Sequence, residues 1–157
     1  LKKLDSGEVD GLILAAAGLE RLGLQDRVSE ILTQDVMVPA AGQGLLAIAM
    51  RTGDAKTQRA IDVLDDVNAR AAGDCERAFL AALGGGCQAP AGALAEVIGS
   101  EIVVTGIIVS PDGIDVYKGD HQGRKSQAAA IGKRLAIDLL DQGGERVIRR
   151  ARELFGS

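Results

Sequence analysis

The chain has 157 residues, a net charge of −4, and a 46% hydrophobic composition with one tyrosine, two phenylalanines and no tryptophan. Mild acidity with few aromatics argues against a general nucleic-acid binder, and no apolar run reaches the roughly 20 residues that cross a bilayer. Two cysteines are too few for a disulfide framework, and with one histidine at no ligand spacing they argue against a zinc site. This usage suits a reducing cytoplasm, and no signal-peptide pattern is present. The core is therefore expected to be built from Leu, Ile, Val and Ala, in one domain or two small ones.

The chain opens on Leu1-Lys2-Lys3-Leu4-Asp5, which reads as the middle or last turn of a helix with no capping residue ahead of it, so residues are expected upstream. Gly11 to Ala17 is a continuous apolar run and predicts a strand buried on both faces, as in a parallel sheet. Short helices are expected over Leu19–Leu24, after Gly18, and over Arg27–Leu32. Gly42-Gln43-Gly44 reads as a flexible turn feeding a strand over Leu45–Met50. Asp54 is a plausible N-cap for the next helix, with Ile61 and Leu64 on one face. A longer helix is expected from about Asp65 to Leu83. Gly73 in its interior costs roughly 1 kcal/mol relative to alanine, which predicts a close contact there.

Beyond Pro90 the pattern changes. Ala93–Ile98, Ile102–Val109 and Ile114–Lys118 read as strands, with a turn at Ser110-Pro111-Asp112-Gly113 between the last two. A helix follows over Ser126–Leu140, with Ile131, Leu135 and Leu139 on one buried face. Gly143-Gly144 separates a final helix ending near Phe155. Its Arg146, Arg149, Arg150 and Arg152 read as a solvated face. The second half is thus a small α+β unit, while the strand of the first half needs neighbours that these residues do not supply.

The residue that stands out chemically is Cys87, in Gly84-Gly85-Gly86-Cys87-Gln88-Ala89-Pro90. Three glycines clear one side of the thiol and Pro90 stiffens the other, a setting suited to a thiol that meets a ligand. A buried cysteine acting as a small hydrophobe is the other reading of the same residue. Cys75 in mid-helix is read as packing, and His121 as an exposed loop residue without a role.

Asp10-Gly11-Leu12-Ile13-Leu14-Ala15-Ala16-Ala17-Gly18-Leu19-Glu20-Arg21-Leu22-Gly23, Val38-Pro39-Ala40-Ala41-Gly42-Gln43-Gly44, Glu76-Arg77-Ala78-Phe79-Leu80 and the Gly-Gly-Cys-Gln turn follow one another in a telling order. In that order and spacing, from about residue 3 to about residue 140, the chain resembles porphobilinogen deaminases, also called hydroxymethylbilane synthases. The resemblance implies a transferase of tetrapyrrole and haem biosynthesis. It joins four porphobilinogen units head to tail into hydroxymethylbilane with release of ammonia. It also implies a dipyrromethane cofactor held by a thioether at Cys87, since a soft thiolate captures the electrophilic carbon left when a pyrrole loses ammonia.

Pyrroles bearing acetate and propionate groups call for guanidinium forks. The resemblance assigns Arg21 and Arg77 to cofactor or substrate carboxylates. Gly18 is a candidate anion contact and Gln43 a candidate substrate contact; ordinary surface ion pairs with Glu20 or Glu76, or plain turns, are the alternatives. The catalytic aspartate of the family belongs to an N-terminal portion that nothing in this sequence matches. No catalytic residue is therefore assigned, and this chain is expected to be inactive by itself. Two departures stand beside the cysteine: Gly84 replaces a commonly acidic residue, and the residues around Pro90 are small.

The resemblance implies α/β plus α+β architecture: part of a two-lobed, periplasmic-binding-protein-like fold followed by a small three-stranded antiparallel sheet with helices. The implied organisation assigns 1–38 to the C-terminal part of a second domain and 39–64 to a crossover segment of the first. It assigns 65–84 to a return helix of the second and 85–157 to a cysteine-bearing C-terminal domain. Implied partners are porphobilinogen, the growing pyrrole chain and the N-terminal portion of the same protein, with no nucleic acid, membrane or metal. A non-enzymatic α+β interaction module with an inert Cys87, and a redox-active thiol, are the competing readings; the state of that thiol separates them.

Overall fold

The computed structural model describes residues 1–84 and 89–155, the last of these by its backbone. The chain divides into two compact units, Leu1–Val36 and Met37–Ser157. The first holds two short helices, α1 (Lys2–Asp5) and α2 (Ala16–Arg21), and a single 3-10 turn at Gln25–Arg27. Leu24 N–H donates to the Leu19 carbonyl at 2.9 Å and closes α2, with Gly23 at φ 67° turning the chain. The Arg27 guanidinium pairs with the Asp5 carboxylate.

The strand expected over Gly11–Ala17 does not form. Residues 11–15 carry no ladder, and Leu12, Ile13 and Leu14 are exposed. The physical reason is that a strand buried on both faces exists only between neighbours, and the described residues offer none. The helix expected over Arg27–Leu32 does not form: residues 28–32 carry no helix, and the 3-10 turn lies ahead of them at Gln25–Arg27. The strand expected over Leu45–Met50 is irregular chain, with Leu46 and Ile48 exposed. The α/β half of the expected architecture therefore has no sheet among the described residues.

The second unit begins with α3 (Ala55–Ile61), capped as expected: Asp54 accepts from Thr57 N–H at 3.0 Å and from the Thr57 hydroxyl at 2.7 Å. A 3-10 turn at Asp62–Leu64 leads to α4 (Val67–Ala82). Its cap is Asp66, whose carboxylate accepts from Asn68 N–H at 2.8 Å and Ala69 N–H at 2.9 Å. Those bonds, the Ala69 one foremost, hold the Asp66 carboxyl below its ordinary range.

Strands β1 (Ala91–Ile98), β2 (Glu101–Val109) and β3 (Val116–Arg124) form one antiparallel sheet in the order β1-β2-β3. The expected turn is present, tied by Asp115 N–H donating to Ser110 Oγ at 2.9 Å with Gly113 at φ 74°. Along β2 the even positions are buried and the odd ones, beyond the exposed Glu101, are half-buried, the period-two pattern of a sheet covered on one face.

Helix α5 (Ala128–Leu139) and α4 cover that face. A π-type turn at Leu140–Gly144, with Gly143 at φ 125°, redirects the chain into α6 (Glu145–Phe155). The core joins Phe79 of α4 and Leu83 at its C-cap, Ile102, Val104 and Ile108 of β2, Leu135 and Leu139 of α5, and Val147 and Ile148 of α6. Strand β3 runs six residues past its expected end at Lys118, to Arg124. Gly119 and Gly123 have low strand preference, but in the sheet they make room for α5. A Cβ at Gly119 would lie 3.3 Å from Leu139, and one at Gly123 3.0 Å from Ile131.

Candidate functional site

Cys87 lies outside the described residues; both flanks of its segment are described. Helix α4 ends at Ala82, with Leu83 as its C-cap and Gly84 next at φ 64°, a left-handed helix stop that glycine favours. Arg152 of α6 reaches this end: its Nη2 donates to the Leu83 carbonyl at 2.9 Å and to the Gly84 carbonyl at 2.6 Å. A guanidinium on the last carbonyls of a helix satisfies orphan acceptors and opposes the negative end of the dipole. The sequence reads Arg152 as part of a solvated face, and it is exposed; the helix-end carbonyls its guanidinium reaches carry no local sequence signal. Arg146 of the same run donates to the Tyr117 hydroxyl at 3.4 Å, and Arg150 stands 3.8 Å from Asp112.

On the far flank, the first residues of β1 meet the 38–44 turn. Ala93 N–H donates to the Pro39 carbonyl at 3.0 Å. A Cβ at Gly92 would lie 2.7 Å from the Pro39 carbonyl oxygen and 2.8 Å from that of Val38, so glycine is what permits this approach.

Gln43 is exposed in that turn, with its N–H donating to the Ala40 carbonyl at 3.0 Å and Gly42 before it at φ 82°. Arg77 is exposed on α4, and its guanidinium pairs with Asp74 rather than with Glu76. Arg21 is the exposed last residue of α2, without an ion pair among the described residues. Gly18 lies inside α2 rather than between a strand and a helix, and its N–H donates to the Ala15 carbonyl at 3.0 Å. A Cβ there would meet open space.

Two further residues differ from what the sequence suggests. His121 is on β3, not in a loop, with Nε2 2.7 Å from Asp138 Oδ2 of α5. Glu76, the ion-pair partner in the alternative reading of Arg77, is 4% exposed and accepts from Gly42 N–H at 2.7 Å and Ala95 N–H at 2.9 Å. A carboxylate carrying two backbone hydrogen bonds is satisfied in a buried place without a cation. Its partners are distant in sequence, and no local pattern announces them.

Cys75 is a packing residue, as read: it is fully buried in the core, and burial first, then the neighbouring Glu76 charge, pushes its thiol up to about 11. In the folded chain Cys75 is expected to resist alkylation at pH 8 and to react only in denaturant. The raised folded value means that the native state holds the proton longer than the unfolded one. Its contribution to stability is thus complete below about pH 9 and lost as pH rises through about 11. The check is the unfolding free energy of the parent minus that of Cys75→Ala, which is expected to fall between pH 8 and 11.

No group of three or more potential metal ligands occurs among the described residues, and no helix among them is long and apolar enough to cross a membrane.

Comparison with known proteins supplies the context for these positions. Residues 1–59 match the family model described as porphobilinogen deaminase, dipyromethane cofactor binding domain. Residues 72–141, which include Cys87, match porphobilinogen deaminase, C-terminal domain. The porphobilinogen deaminase of Roseiflexus castenholzii is 47% identical over 148 residues, covering 94% of this chain and 48% of that protein. That of a Nostoc species is 45% identical over 148 residues, 94% of this chain and 46% of the relative. That of Pelotomaculum thermopropionicum is 38% identical over 153 residues, 98% of this chain and 49% of the relative. The chain spans about half the length of the curated relatives it matches. With both family domains matched in order along most of its length, the chain belongs to the porphobilinogen deaminase family.

Proposed function

We propose that this chain contributes the cofactor-bearing part of a transferase that joins four porphobilinogen units head to tail into hydroxymethylbilane, releasing ammonia. The observation that carries this reading is the match, at 38–47% identity and over 94% or more of the chain, to relatives named porphobilinogen deaminase. In this reading Cys87 holds a dipyrromethane through a thioether. When bound, the dipyrromethane supplies the fixed primer to which pyrrole units are added.

The donor chemistry fits such a group. A carboxylate-rich pyrrole needs one soft nucleophile and several guanidinium forks. The chain offers Cys87, the exposed Arg77 and the exposed Arg21. The Arg77–Asp74 pair has 73% and 42% of its side-chain surface exposed, so it is weak and exchangeable for a ligand carboxylate. Gln43 offers an amide to a pyrrole side chain from an exposed turn; the Gly18 N–H is already given to the Ala15 carbonyl and is not counted as an anion donor.

No catalytic residue is assigned to these residues. On this reading the carboxylate that stabilises positive charge on the pyrrole nitrogens belongs to the other half of the relatives' length, the partner that turnover, rather than cofactor or pyrrole binding, requires. On the same reading, residues 1–38 and 65–84 belong to a second domain and 39–64 to a crossover segment of the first. Together these form part of a two-lobed, periplasmic-binding-protein-like arrangement. Residues 85–157 form the cysteine-bearing domain, and the setting is cytoplasmic.

The test is the intact mass of the denatured chain, followed by peptide mapping. The parent is expected to be heavier by one dipyrromethane on Cys87. Cys87→Ser, which cannot form the thioether, is expected at its unmodified mass with an unchanged fold. An unmodified parent, purified from cells that make porphobilinogen, with Cys87 free would overturn the cofactor assignment and favour an interaction module.

A further inference from the structure

Glu76 places a charge where charge is costly. A hydrocarbon side chain of similar size would fill the space between α4 and β1 without the desolvation penalty of a carboxylate. The carboxylate does what a hydrocarbon cannot, fixing two backbone amides from distant segments at once. Oε2 accepts from Gly42 N–H at 2.7 Å and Oε1 from Ala95 N–H at 2.9 Å.

The position of these bonds in the chain gives them their consequence. Gly42 immediately precedes Gln43, and Glu76 immediately precedes Arg77. A single hydrogen bond therefore ties the residue before Gln43 to the residue before Arg77, although they come from segments matched by different family domains. The Pro39 end of the turn is held by the backbone of β1 through Ala93. At the Gly42 end, among the described residues, the side chain that receives the turn is that of Glu76.

We propose that Glu76 is a positioning residue that holds Gln43 and Arg77 together as one subsite for a carboxylate-bearing pyrrole. This rests on the assignment of Gln43 and Arg77 to pyrrole binding made above. Arg77 exchanges Asp74 for a ligand carboxylate, and Gln43 hydrogen-bonds the same pyrrole unit. Glu76 touches neither the ligand nor the reacting atoms; it fixes the distance between the two groups that do.

The experiment uses the full 157-residue chain, labelled for NMR, as parent, Glu76→Gln and Glu76→Asp. Amide hydrogen exchange is read at Gly42 and Ala95. Porphobilinogen is then titrated against the Gln43 side-chain amide and the Arg77 Nε–H. Glutamine turns an NH2 donor toward one of the two amides, so exchange at Gly42 or Ala95 is expected to rise about tenfold or more. The β2–β3 ladder amides should keep their parental rates. Half-saturation at Gln43 and Arg77 is expected to rise about five- to tenfold, and the two signals should no longer share one midpoint. Glu76→Asp, which keeps the carboxylate but is one methylene short, is expected to fall between, and it is the variant to read should the Gln variant lose its β2–β3 signals.

Parental exchange at Gly42 and Ala95 in the variant, or a shared parental midpoint for Gln43 and Arg77, overturns the positioning role alone. No response of either residue to porphobilinogen in the parent itself overturns the underlying assignment, and the subsite with it.

Discussion

Replacing Phe79 with alanine is expected to lower the unfolding free energy by about 3–5 kcal/mol, the range for truncating a buried aromatic ring. Phe79 is fully buried and is one of only three aromatic residues in the chain, so no other ring is nearby in sequence to take over its volume. Its ring lies against β2 where Gly106 has no side chain: a Cβ at Gly106 would sit 2.7 Å from the ring and 2.9 Å from Leu135. Ring and glycine are complementary halves of one contact, and the core around them is aliphatic and close-packed. A domain of this size holds only about 5–15 kcal/mol in total, so the variant should show a much lower urea midpoint at an unchanged slope. Leu154→Ala, at a position 59% exposed, is the control and should stay within about 0.5 kcal/mol of the parent. A loss below about 1 kcal/mol for Phe79→Ala would contradict the packing described.

The second large effect belongs to Gly132. A Cβ there would stand 2.0 Å from the Cys75 carbonyl oxygen and 2.8 Å from its carbonyl carbon. Both are backbone atoms of α4, so no side chain can swing aside, and α4 and α5 must separate. Gly132→Ala is expected to cost about 3 kcal/mol or more, beyond the usual overpacking range because the obstacle is rigid. This outweighs the roughly 1 kcal/mol that alanine gains over glycine inside a helix.

Gly73→Ala in α4 makes the opposite case. Its added Cβ would lie 2.8 Å from Leu45 Cδ1, the far end of a flexible side chain. That variant is expected to be neutral or stabilised by up to about 1 kcal/mol. Urea unfolding of the two variants side by side is the check; equal effects would contradict the helix crossing.

The contrast between these two glycines shows where sequence reasoning stopped. Glycine inside a helical pattern signals a close approach, and at Gly73 that signal led to Leu45. The same signal is present at Gly132, but the sequence does not say which of two close approaches is to backbone and which to a movable methyl group. In β3 the reasoning failed in the other direction. Gly119 and Gly123 have low strand preference, and only the α5 helix above them explains why the strand continues.

The candidate site divides along the same line. Arg21, Arg77, Gln43 and Cys87 were found from motifs whose residues are contiguous in sequence. Arg152 and Glu76 were found only from the fold, because their partners are backbone groups, Leu83 and Gly84 in one case, Gly42 and Ala95 in the other. A backbone amide has no letter in a sequence.

By itself, then, the sequence determined the α+β half of the chain, with its three strands, its turn at Ser110–Gly113 and the helices that cover the sheet. These follow from local periodicity and turn chemistry. It also determined the family, through motifs in a fixed order. Tertiary structure decided whether the apolar runs at 11–17 and 45–50 become strands, because a strand is defined by the neighbour that shares its hydrogen bonds. It also decided which charges are buried with a purpose. Burial and pairing are properties of groups brought together by the fold, and Glu76 became legible only once α4 was laid against β1 and the Gly42 turn.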